Sequence, residues 1–280
     1  GIVTEIQDLK YLFIEVDVNA YYNPSLASNA DAVKTVVVDN INKYADSAEM
    51  NKYGARFKYS KFQGIIDNSN QSITSNITKV EIRRDMQPRL GQRVEYELCF
   101  GNPFYIKNNN GYNIKSSGFN VFGIADTVYM SDKPNANRRT GKIFLFKLQS
   151  KSGPVIVSNN VGTIDYQKGE IMLDAINVTG TSKKVQDVPI IEVSACPESN
   201  DVIGLQDLYL QLDSSNSTVD MVSDVISSGA NTAGNLYTAT SSYISGDIAR
   251  LTETESLNTN LTQSDTYILG TTTNPSSSTY

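Results

Sequence analysis

Three carboxylates stand close together in "VGTIDYQKGEIMLD" (Val161–Asp174): Asp165, Glu170 and Asp174. Side chains of this type serve a metal ion or an acid/base pair. Pair chemistry needs two carboxyl groups facing across a cleft, about 5–10 Å apart. The stretch also reads as a hairpin. Thr163–Asp165 and Glu170–Leu173 flank "YQKG", and Gly169 suits a positive φ at the end of a short loop. Ile164, Ile171 and Leu173 then face a core, while the three acids fall at the turn or on the other face. The hairpin reading brings no two carboxylates together, so the stretch is read as structural. Glu15/Asp17 and Glu95/Glu97 are paired acids on single strand faces, read as solvated. "TGK" (Thr140–Lys142) lacks the upstream Gly and the following Ser or Thr of a phosphate loop, and strands flank it. "DNSNQS" and "NNNGYN" lack the alternate carboxylates and closing Glu of a calcium loop. All three read as turns.

Composition narrows the chemistry further. The chain has no His and only two cysteines, Cys99 and Cys196, both read as buried small hydrophobes. Triad hydrolysis, most neutral-pH general bases and structural zinc all lack their usual groups. Catalytic residues, cofactors and metal ligands are therefore expected to be none. A carboxylate-pair glycosidase survives only as a remote class. Charge is uneven: 24 Lys+Arg stand against 30 Asp+Glu, a net of −6. From Asp213 to Tyr280 the one basic residue is Arg250, against seven acids, so that segment carries the whole imbalance. A neutral body with an acidic tail argues against nucleic acid as a partner, so none is expected. No apolar run approaches the roughly 18 residues of a membrane helix, so no membrane partner is expected. Residue 1 is Gly, and the chain reads as a piece of a longer or processed protein.

The elements that must position these residues fall into three segments. Residues 1–90 read as an α/β module continuing a longer N-terminal part. "YLFIEVDVNAYY" puts Leu12, Ile14, Val16 and Val18 on one strand face. Val33, Val37, Ile41, Tyr44 and Ala48 recur at helical spacing, with Ser28 and Asp31 as a capping box and Gly54 as a stop. "YSKFQGIIDN" is a second helix with Phe62, Ile65 and Ile66 inward. "ITSNITKVEIRRDM" returns as a strand carrying Ile73, Ile77 and Ile82. Residues 91–212 read as a β-rich domain of hairpins. Residues 213–280 are Ser/Thr-rich and acidic, too poor in apolar surface to fold alone, and read as an extended arm. The expected fold class is α+β: a small strand-helix-helix-strand module, a β-rich domain and the C-terminal arm.

Two sets of residues are expected at interfaces. The stretch Phe100–Phe122 sets Phe100, Phe104, Tyr105, Tyr112, Phe119 and Phe122 among Asn, Gly and Lys. Long aromatic loops of this kind supply interface hot spots; the alternative is that these rings cap their own sheet. In the tail, Leu236, Tyr237, Tyr243, Ile244, Tyr267 and Ile268 recur as anchors for lying on neighbouring subunits.

"VNAYYNP", "RFKYSKFQGIIDN", "ITSNITKVEIRR", "GTIDYQKGEIML" and "IIEVSACPESNDVIGLQDLYLQLD" together resemble the C-terminal half of the T4-type phage baseplate wedge protein, gene product six, related to baseplate J proteins. The resemblance runs over about residues 8–213 and leaves the acidic tail unmatched. It implies a structural subunit of a contractile tail baseplate, located in the virion and assembled in the host cytoplasm. Its implied partners are a second copy of itself and other wedge subunits. The implied dimers link neighbouring wedges into a ring that persists when the baseplate switches shape. It carries over no catalytic residues. The alternative is a β-rich glycan- or receptor-binding tail module, which 16 Tyr in a β-rich chain would suit.

Overall fold

The computed structural model describes residues 10–27, 29–50, 52–149, 153–205, 208–224 and 248–250. In chain order these form β1 (Lys10–Tyr22), α1 (Ala30–Ala45), β2 (Arg56–Phe57), α2 (Tyr59–Asp67), β3 (Ile73–Met86), β4 (Arg93–Cys99), β5 (Lys115–Ser116), β6 (Phe119–Val121) and β7 (Tyr129–Pro134). There follow β8 (Thr140–Gln149), β9 (Gly153–Asp165), β10 (Glu170–Thr181), β11 (Lys183–Val185), β12 (Val188–Ala195), β13 (Val202–Ile203), β14 (Leu208–Leu212) and β15 (Thr218–Ser223).

The α+β expectation is overturned. Strands dominate the described residues, with two helices against fifteen strands arranged in several sheets. The helices fail to define a module because strands from far along the chain complete the sheet they lie near. β1 takes β14 and then β15 in parallel register, Lys10 opposite Leu208 and Asp17 opposite Thr218.

The described residues fall into two compact units. One holds those up to Ile82 and from Ser199 to Asp224; the other holds those from Arg83 to Glu198 with residues 248–250. In the first unit the sheet order is β3-β1-β14, with β15 also on β1, beside a small β13-β2 pair. Leu12, Ile14, Val16 and Val18 are buried as their spacing predicts, and Glu15 is buried as well, against its reading as solvated. α1 buries Val33, Val37, Ile41 and Tyr44. Its cap is Asn29, whose side chain accepts from Asp31 N, where Ser28 was expected. The helix ends at Ala45, well before Gly54, because Ser47 Oγ donates to Tyr44 O and Met50 turns into the core. α2 buries Phe62 and Ile66, leaving Ile65 half-buried. On β3 the inward series is Thr78, Val80 and Ile82; Ile73 and Ile77 have the opposite parity and stay half-buried.

One turn lets two strands share β1. Between β14 and β15, Asp213 Oδ1 accepts from the amides of Ser215 and Asn216, and Ser217 Oγ donates to Asp213 O. Ser217 Oγ then accepts from Val16 N at 3.0 Å. A β1 amide falling between the two pairings is thereby satisfied, as a buried strand requires.

The second unit is built on an antiparallel sheet of order β4-β10-β9-β8-β7, with β6 on β10. β12 pairs with β11 and with β5. Ile143, Phe144, Leu145, Phe146, Ile164, Ile171 and Leu173 fill its core. Cys196 is buried and Cys99 half-buried, and neither forms a disulfide among the described residues.

Candidate functional site

The carboxylates of the 161–174 stretch sit where the hairpin puts them. Glu170 pairs with Asp165 and Leu173 with Gly162. Asp165 Oδ1 accepts from the amides of Gln167 and Lys168, each at 3.0 Å. Gly169 has φ +69 and donates its amide to Asp165 O. Asp174 is exposed on β10. Glu95 and Glu97 are exposed on β4. Asp17 holds Lys79 at 3.1 Å and accepts from the Thr218 hydroxyl. Thr140–Lys142 opens β8, paired to β7. Among the described residues no three His, Cys, Asp or Glu side chains gather as metal ligands would.

The aromatic stretch divides by burial. Phe100, Phe104 and Phe119 are core residues of the second unit; Phe104 meets Phe100 edge-on at 5.1 Å. Their rings fill their own chain, which takes Phe104 and Phe119 away from a partner. Tyr105 and Tyr112 are half-buried, and Tyr112 packs edge-on against Phe144 at 5.5 Å. Phe122 stands apart at 75% exposure. Leu236, Tyr237, Tyr243, Ile244, Tyr267 and Ile268 lie outside the described residues.

Two buried polar junctions in the second unit escaped the pattern of the sequence. Asp132, on β7, is buried and accepts from the amides of Asn113 and Ile114, both at 2.7 Å. Its Oδ2 accepts from the Tyr166 hydroxyl at 2.6 Å. Burial pushes the Asp132 carboxyl up, against the pull of Tyr166 and the amides of Ile114 and Asn113. Burial, and then Asp132 itself, raises the Tyr166 phenol far above its usual range. The neighbouring Asn113 donates to the carbonyls of Tyr105 and Cys196 and accepts from Cys196 N. Together these bonds fasten the long 101–114 loop to the sheet. Their one sequence signal is an Asp placed inside an otherwise inward strand run.

The second junction centres on Glu192 of β12, also buried. Arg250 Nε donates to Glu192 Oε2 at 3.2 Å, and Lys183 Nζ lies 3.7 Å away. Nearby, Asp85 is held by Arg83 Nε at 2.9 Å, and burial pushes the Asp85 carboxyl up. The visible signal was Arg250 as the lone base in an acidic tail.

The acids described here mostly fasten turns, loops and chain segments to sheets. Residues 10–85, running from β1 into β3, match the family described as baseplate structural protein gp6, C-terminal domain III. The match supports a gp6-like baseplate wedge protein, a structural component of the bacteriophage virion. None of the curated proteins matches the chain.

Proposed function

We propose that this chain acts without catalysis as a baseplate wedge subunit that pairs with a second copy, the pairs linking neighbouring wedges into a ring. The ring persists as the baseplate changes shape, and assembly takes place in the host cytoplasm. The observation that carries this reading is the match of residues 10–85 to a baseplate structural domain. Phe122, at 75% exposure, is free of its own core and is offered as a contact residue of the second unit, since aromatic side chains are enriched at interfaces. Two stretches of the acidic segment, β15 and residues 248–250, pack on their own chain. The remainder is proposed as the arm that reaches neighbouring subunits, with Leu236, Tyr237, Tyr243, Ile244, Tyr267 and Ile268 as anchors. Sedimentation equilibrium of the purified chain tests the pairing. A dimer at micromolar concentration is expected, and a strict monomer there would overturn it.

A further inference from the structure

Residues 248–250 are short, distant in sequence from everything they touch, and deeply seated. Ala249 is 4% exposed and packs with Tyr129, Phe144 and Phe146; Ile248, Tyr112 and Leu148 close around that cluster. Arg250 N donates to Ser116 O at 2.9 Å, and Arg250 bridges Ser117 in parallel. Its guanidinium meets Glu192, whose side chain is 7% exposed. The receiving surface is built independently of the tail. Ser117 N donates to Glu192 O, Ser117 Oγ accepts from Glu192 N, and Ser116 Oγ accepts from Met130 N.

These features are those of peptide recognition by strand addition. Backbone bonds give affinity, and side-chain pockets give sequence preference. The aromatic pocket admits a methyl group, and the buried carboxylate beside it accepts from a guanidinium at 3.2 Å. We infer that Ser116–Ser117, Glu192 and the Tyr129–Phe144–Phe146 face form a peptide-binding groove specific for an apolar–Ala–Arg tripeptide, and that its occupant is this chain's own Ile248–Arg250, held as a separable strap. A sequence of that kind is rare in the tail, where Arg250 is the one base among seven acids. The strap thus has one register in which it can seat. This inference is independent of self-pairing.

Two measurements on the full chain test it. In the unaltered protein, hydrogen exchange is expected to show the Arg250 amide opening at least tenfold faster than the β8 amides of Ile143–Phe146. Exchange of both sets through one common opening would make the segment ordinary core and overturn the strap. In the second, Ala249→Glu is introduced to expel the segment. A labelled synthetic peptide of residues 246–252 is then expected to bind the variant and not the unaltered chain, whose groove is filled. Adding Glu192→Gln to the variant is expected to weaken that binding roughly tenfold to a hundredfold, the scale of a lost charge-assisted bond. A natively folded Ala249→Glu chain that fails to bind the peptide would overturn the groove. Global unfolding of that variant would overturn separability.

Discussion

Gly169→Ala should damage the second unit far more than Gly123→Ala, although both replace a glycine of positive φ. Gly169 has φ +69 and Gly123 has φ +85. A left-handed conformation costs a residue bearing Cβ about 1–2 kcal/mol. At Gly123 nothing lies within 4 Å of the added Cβ, so that conformational cost is the whole effect. At Gly169 the added Cβ would lie 2.0 Å from Asn102 O, 2.8 Å from its C and 3.0 Å from its N. All three atoms are backbone, so no rotamer relieves the clash. The 100–104 segment must move away. That breaks the bond from Phe100 N to Gly169 O, now 2.8 Å, and loosens the buried Phe100–Phe104 pair. A lost hydrogen bond of about 1 kcal/mol and about 0.5–1.5 kcal/mol of disturbed aromatic packing bring the total to roughly 2.5–4.5 kcal/mol. Urea unfolding followed by tyrosine fluorescence and far-ultraviolet circular dichroism reads both variants. Equal midpoint shifts for the two would refute the claim that the close approach of Asn102, rather than φ, governs this hairpin.

Gly64→Ala has the opposite sign. It sits inside α2 with Asn68 Nδ2 at 4.0 Å from the added Cβ, so the first unit should gain about 0.5–1 kcal/mol, read as a higher melting temperature. Tyr166→Phe removes the hydroxyl from a buried carboxyl and should cost the second unit about 1.5–3 kcal/mol in urea unfolding. Burial raises the carboxyl groups of Asp132 and Asp85, so the fold holds those protons more tightly than the unfolded chain does. Their contribution is full below the ordinary Asp range near ~4 and is lost as pH rises through the raised folded values. Asp132→Asn should therefore flatten the fall in stability with rising pH, measured by unfolding midpoints across that range. Phe122→Ser should leave the melt unchanged, because the ring is exposed, and should weaken self-association in sedimentation equilibrium.

What was legible in the sequence was local and periodic. Leu12, Ile14, Val16 and Val18 announced the inner face of β1, and Val33, Val37, Ile41 and Tyr44 that of α1, because burial repeats with the backbone period. The 161–174 hairpin followed from Gly169 and the flanking alternation. The fold class was not legible, since it turned on pairing. Nothing local in "LYLQL" or "TVDMVS" says that each will lie parallel to β1, about two hundred residues away. On β3 the isoleucines misled, because Thr78 takes an inward place and Ile77 does not. The polar junctions were hidden for a related reason. Asp132 and Glu192 stand in apolar strand runs, but the distant amides, phenol and guanidinium that satisfy them there are not marked locally.

Those junctions share one logic. Asp132 and Glu192 each fasten an irregular segment to a sheet through an acidic acceptor. Apolar contact alone would hold such segments loosely, since it has no preferred register. A buried carboxylate is different, because leaving one unpartnered costs several kcal/mol. At Asp132 and Glu192 partial detachment is therefore penalised more than in proportion, and the segment is seated or released as a whole. Attachments of that all-or-none kind keep each segment in one fixed geometry until it is released.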